Sequence, residues 1–175
     1  MDSNVYKNCI QWVHHKWLGK LLRLESDGKY GIDLSDNAIG IEVKARHRTY
    51  AHQGWTLAAH QYDNFPRDNP TLELYWAFIL YDLTKPIAEL PFPDPHLSRR
   101  VRQREIWMQP WSFADAIPVA NPKTGPYKYA RPSRVIEANN YRTKKVRGGT
   151  LHLPKKTTLE ERVNDILAGR EIVPF

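Results

Sequence analysis

Apolar residues recur along this chain with two periods, and the periods separate helices from strands. Between residues 4 and 24, Val5, Cys9, Trp12, Val13, Trp17, Leu21 and Leu24 return at three- and four-residue steps, which predicts a helix with one apolar face. Ser3 or Asn4 can cap its start. Gly19 weakens its end, so Leu21 to Glu25 can instead open a first strand. Asp27-Gly28 is a turn. Residues 30–34 and 39–43 then alternate apolar residues with polar ones or glycine, the period of half-buried strands. Asp36-Asn37 suits a tight turn between them, because both types tolerate left-handed backbone angles. That register sets Ser35 against Ala38 and Asp33 against Gly40. After a polar connection at 47–52, residues 53–65 predict a second helix, with Trp55, Ala58, Ala59, Tyr62 and Phe65 on one side and Pro66 to Pro70 ending it. Residues 71–83 are almost continuously apolar and aromatic, as a buried central strand requires.

The second half carries weaker periodicity. Residues 87–95 are proline-rich and predict a loop, 105–111 a strand, and Ser112 to Asp115 the start of a short helix. Residues 121–132 predict a loop, and 135–153 a basic hairpin around Gly148-Gly149. Residues 158–169 predict a helix, with Thr158 as cap, Glu160 and Glu161 in the first turn, and Gly169 at the end. There is no internal repeat and no low-complexity tract.

The hairpin at 30–44 carries the most chemistry. Alternation puts Gly31, Asp33, Gly40, Glu42 and Lys44 on one face and Ile32, Leu34, Ile39, Ile41 and Val43 on the other. Asp33 and Glu42 become diagonal cross-strand neighbours with Cβ atoms roughly 7 Å apart, a gap that lets two carboxylates share a cation. Carboxylate oxygens suit Mg²⁺ or Mn²⁺. The two glycines would leave space for the metal and a phosphate. The plainer alternative is a solvated hairpin face with a weak acid–lysine pair. Asp36 could replace Asp33 as a ligand, but it lies on the turn.

Asp33, followed after eight residues by Glu42 and after one more by Lys44, within Gly-Ile-Asp-Leu and Ile-Glu-Val-Lys, resembles the PD-(D/E)xK nuclease superfamily. The resemblance spans about residues 5 to 85. It implies an α/β protein of the restriction-endonuclease-like fold, with an αβββαβ core in which helices flank a mixed sheet. It implies that Asp33 and Glu42 bind Mg²⁺ (or Mn²⁺), that Lys44 positions or activates the attacking water, and that the product is a cut DNA phosphodiester. The family often adds an acid on the first helix. No Asp or Glu lies between Asn4 and Leu24, so Glu25 is the candidate, with Asn8 or Gln11 as substitutes. Exonuclease-like relatives carry Gln four residues before Tyr on the second helix. Gln61-Tyr62 departs from that spacing, so Tyr62 reads as core and Gln61 as a minor candidate. An endonuclease is the expected activity. Endonucleases of this fold often dimerise, so a homodimer is a plausible state.

Charge adds a partner. Residues 1–87 hold 10 Lys/Arg and 10 Asp/Glu, whereas residues 88–175 hold 16 and 9, so the whole net charge of +7 lies in the second half. A polyanion is the expected ligand of such an extension. The candidates to contact DNA, duplex or branched, are Arg99, Arg100, Arg102 and Arg104, then Lys128, Arg131 and Arg134, then Lys144, Lys145 and Arg147. Lys123, Lys155 and Lys156 extend these clusters, and Tyr127, Tyr129 and Tyr141 lie among them. The expected organisation is a nuclease core at 1–87 and a basic extension at 88–175 that completes one compact domain. No apolar run reaches membrane-spanning length, the start lacks signal-peptide character, and Cys9 has no partner for a disulfide, so an intracellular, cytoplasmic protein is expected. His14 and His15 point about 100° apart on a helix and do not readily share a metal. No zinc spacing and no phosphate-binding glycine loop occurs, so no nucleotide cofactor is expected. Two readings compete with the enzyme: a nucleic-acid-binding protein whose hairpin only looks catalytic, and a structural protein of a virus or mobile element.

Overall fold

The computed structural model describes residues 3–26, 31–120, 126–138 and 140–170. Helix α1 (Ser3–Leu22) leads to a two-residue strand β1 (Leu34–Ser35) and a nine-residue strand β2 (Ile39–His47). A 3-10 segment follows, then β3 (Trp55–Ala58), α2 (Ala59–Asp68) and the eleven-residue β4 (Glu73–Leu83). The second half supplies α3 (Leu97–Arg100), β5 (Val101–Pro110), β6 (Val119–Ala120), β7 (Tyr127–Ala130), α4 (Pro132–Ile136), β8 (Tyr141–Val146), β9 (Gly149–Pro154) and α5 (Thr158–Leu167).

Six strands form a mixed sheet in the order β1-β2-β4-β5-β9-β8, flanked by helices, and β3-β7-β6 form a small antiparallel sheet. β2 runs parallel to β4, and β5 parallel to β9. β4 and β5 pair from Tyr75↔Pro110 to Leu83↔Val101, so both halves of the chain build one sheet. β4 is buried on both faces, which is why its sequence reads as an unbroken apolar run. One face packs Ile41, Val43 and Ile79 against Leu18 of α1 and Leu159 and Val163 of α5. The other packs Trp76, Phe78 and Trp107 under Trp55, Phe65 and Trp111. Trp76 and Trp111 stack with centroids 3.9 Å apart, and the Trp76 indole N–H donates to the Trp111 carbonyl at 3.2 Å.

Several expectations change. Helix α1 is buried through Tyr6, Ile10, His14, Leu18 and Leu22, a face turned by about 100° from the predicted one; Val5 and Trp12 are exposed. Cys9 is half-buried at the margin of a third cluster. The expected helix at 53–65 begins only at Ala59. Gly54 takes a left-handed φ of 57°, after which Trp55 and Leu57 point inward and the segment pairs with β7. Helix α2 continues through Pro66 rather than stopping there. β5 begins at Val101, which places Arg102 and Arg104 in a strand. Thr157, not Thr158, caps α5, its hydroxyl accepting from the Glu160 N–H. The hairpin register is Ser35↔Gly40 and Leu34↔Ile41, with a four-residue turn. Asp36 holds that turn by accepting from the N–H groups of Ala38 and Ile39, both at 2.9 Å, and pairs with Arg162 at 2.6 Å, so it is a structural residue. The expected turn at 27–28, the start of the first hairpin strand at residue 30 and Lys123 lie outside the described residues. Among the described residues, no helix is long and apolar enough to cross a membrane.

Candidate active site at the sheet edge

β1 is two residues long and starts only at Leu34, opposite Ile41, so the outer edge of β2 has no strand partner at Val43. Two side chains replace the missing strand. The Asp33 carboxylate accepts from the Val43 N–H at 2.7 Å, and the Gln11 amide donates to the Val43 carbonyl at 2.8 Å. Such an edge would otherwise leave backbone groups unpaired. The paired register stops at Leu34↔Ile41; continued by one residue it would set Asp33 opposite Glu42 rather than diagonal to it. Leu34, Ile39, Ile41 and Val43 keep the expected apolar face, because the register moved by an even number of residues, whereas Ile32, before the start of β1, packs on the opposite side.

Glu42 is 3 % exposed. Its Oε1 accepts from Lys44 Nζ at 2.8 Å and from the Gln61 amide. Gln61 is oriented from its other end, since its carbonyl oxygen accepts the Ala58 N–H at the start of α2 at 3.3 Å. The second carboxylate oxygen, Glu42 Oε2, is buried and, among the described residues, has no hydrogen-bond partner. Burial pushes the Glu42 carboxyl up to about 7; Lys44 opposes the shift and the Asp33 charge adds to it. Burial raises Asp33 as well, against the Val43 N–H and Lys44. His15 of α1 completes the cluster, with Nε2 3.5 Å from Asp33 Oδ2 and 2.9 Å from the Gln11 amide nitrogen. Burial lowers the His15 pKa, with Glu42 opposing.

Asp33, Glu42 and Lys44 therefore meet at one point, with α1 on one side and α2 on the other. Glu25 pairs with Ser35 through its backbone, and its side chain is exposed. Among the described residues, no hydrogen bond or ion pair joins its carboxylate to Asp33 or Glu42. The space above Gly40 is filled: a Cβ there would lie 2.7 Å from Leu74 and 3.3 Å from Ile32 and Leu72. Ile32 packs in the cluster on that side, not with Leu34. Gln11, expected as a substitute for the missing helix acid, reaches the Val43 carbonyl beside Asp33, whereas Asn8 is exposed and His15 is not among the expected site residues.

The basic residues scatter. Arg104 is buried, with its guanidinium over Trp17 at 4.7 Å and its Nε–H donating to His14 at 3.4 Å, so it is spent inside the fold. Lys128 donates to the Ala114 carbonyl at 2.6 Å and lies over the Tyr62 ring. Arg100 pairs with Asp94 at 3.2 Å, and Arg134 donates to the Ala116 carbonyl at 2.8 Å. Arg99, Arg102, Arg131, Lys145 and Arg147 are exposed, and Lys144 is half-buried. β8, which carries Lys144 and Lys145, is four strand spacings from β2, roughly 19 Å across the sheet.

Among the described residues, no three His, Cys, Asp or Glu side chains gather closely enough to hold a metal. A two-carboxylate site still fits Mg²⁺, which keeps several waters and needs only one or two protein carboxylates. The unpartnered Glu42 Oε2 beside Asp33 is the observation that meets this requirement. The chain matches no family model, no curated protein and no solved structure.

Proposed function

We propose that the protein is a metal-dependent nuclease that hydrolyses DNA phosphodiester bonds, acting as an endonuclease at Asp33, Glu42 and Lys44. The observation that carries this reading is the buried carboxylate pair, with one Glu42 oxygen lacking a donor among the described residues. Two buried like charges raise each other's proton affinity and are relieved by a cation between them. The element order supports the same reading. Helix α1, the Glu25 bridge, β1, β2, α2 and a β4 parallel to β2 follow the αβββαβ order of the PD-(D/E)xK superfamily, with β3 added before α2.

Asp33 and Glu42 would hold Mg²⁺ or Mn²⁺, which when bound polarises the scissile phosphate and offsets developing charge. Lys44 Nζ, already turned to the site, orients the attacking water toward phosphorus. Gln61 fixes the Glu42 rotamer, and Asp33 is held by the Val43 N–H, so both carboxylates are positioned before substrate arrives.

The test is cleavage of supercoiled plasmid, single-stranded DNA and a four-way junction in Mg²⁺, Mn²⁺ or EDTA, by wild type, Asp33→Ala and Lys44→Ala. Metal-dependent cutting that disappears in both folded variants is the expected result. Tight DNA binding without cutting on any substrate would favour a binding protein instead.

A further inference from the structure

Helix α1 contains no Asp or Glu in its twenty residues, yet carries Lys7, Lys16 and Lys20. Its solvent face is a stripe of Val5, Asn8, Trp12, Lys16 and Lys20. Trp12 is 44 % exposed, whereas Tyr6 on the same helix is turned into the core. Lys16 Nζ lies 5.5 Å from the Trp12 ring centroid. The Trp12 ring is 6.1 Å from that of His15, and His15 is 3.5 Å from the Asp33 carboxylate. An exposed indole with an adjacent cation thus sits a nucleotide or two from the candidate cleavage point. From the strongly basic second half, Arg104 is internal and Lys145 lies at the far edge of the sheet, while α3, which carries the exposed Arg99, packs its Leu97 beside Tyr6 and Ile10 of α1.

We propose that the outer face of α1 is the path of an unpaired nucleic-acid strand, with one base stacked on Trp12 and flanking phosphates on Lys16 and Lys20. The placement of the scissile phosphate rests on the nuclease reading; the strand path itself does not. Aromatic side chains beside cations bind single strands because every base has a π-face, and that face is free only when the base has left the duplex stack. The substrate class is therefore DNA that is unpaired next to the cut: a single strand, a fork or a junction arm.

Fluorescence anisotropy in EDTA, where no cleavage occurs, tests this with a labelled single strand, the matching blunt duplex and a fork. Trp12→Ala should bind the single strand and the fork on the order of tenfold more weakly, with duplex affinity unchanged. Trp12→Phe should recover most of the loss. Lys16→Ala and Lys20→Ala should each flatten the single-strand salt dependence by about 0.7 in log–log slope. Unchanged single-strand affinity in Trp12→Ala, or an equal loss on duplex, overturns the proposal. Trp12-dependent capture by anionic phospholipid vesicles, with no oligonucleotide bound, overturns it in favour of a membrane surface. Trp12-dependent binding by a protein that never cuts in Mg²⁺ or Mn²⁺ sinks the nuclease reading alone. Cutting with Trp12-independent binding sinks the strand path alone.

Discussion

Replacing Glu42 with glutamine should stabilise the metal-free protein above neutral pH and leave it nearly unchanged at pH 5. Glu42 is buried, and its proton affinity in the folded state rises from 4.5 to about 7. Between those values the unfolded chain has released a proton that the native state still holds. Stability therefore falls as pH rises through that window and levels off above it. At about 1.4 kcal/mol for each tenfold change in proton affinity, the loss is about 3 kcal/mol. Asp33, raised in the same direction, adds to the fall. Glutamine carries no charge at any of these pH values, and its carbonyl oxygen can still accept from Lys44 and Gln61. Urea unfolding in EDTA at pH 5 and pH 8 measures the difference. Glu42→Gln should exceed wild type by about 2–3 kcal/mol at pH 8, or roughly 5–10 °C in Tm for a chain of this size. Mg²⁺ at pH 8 should restore wild type and leave Glu42→Gln unmoved, because only a native state that binds the ion gains from it. A variant no more stable than wild type at pH 8 would refute the argument that burial costs the charged form of Glu42 more than Lys44 and Gln61 return.

Three further outcomes follow from packing and exposure. Arg104→Ala removes the guanidinium from Trp17 and from His14, which burial holds neutral; it should cost about 2 kcal/mol in urea unfolding without altering the salt dependence of DNA binding. Arg102→Ala, on an exposed side chain, should do the reverse and lower the duplex slope by about 0.9. Gly40→Ala pushes a methyl group onto the far end of Leu74 and should destabilise by about 1 kcal/mol in the same assay; a neutral result would mean that the space above Gly40 is open.

Where the chain obeys a local rule, pattern and structure agree. The two-residue alternation at 39–43 gives the inward and outward faces of β2, and the apolar run at 71–83 is the doubly buried β4. Glu42 and Lys44 share a face because strand geometry allows nothing else. The errors have a common source. Trp12 is apolar by type, and a helical pattern that counts every aromatic as core rotates the buried face away from His14 and Leu18. Trp55 and Leu57 fit either period over so short a segment, and Gly54 with the partner strand β7 decides for a strand. The arginines at 99–104 look alike in the chain, yet Arg102 meets solvent and Arg104 meets Trp17.

The sequence by itself determined the long strands β2 and β4, the faces of β2 and the nearness of Glu42 to Lys44, because those follow from covalent periodicity over a few residues, whereas β3 and β7 fell in an expected helix and an expected loop. Only the tertiary structure decided what surrounds them. The late start of β1 turned Asp33 into an edge cap for Val43, α1 brought Gln11 and His15 to it, and α2 brought Gln61 to Glu42. These contacts join residues distant in the chain, and so does the burial that raises the Glu42 carboxyl. Desolvation depends on what packs against a group from every side, and no local pattern in the chain carries that.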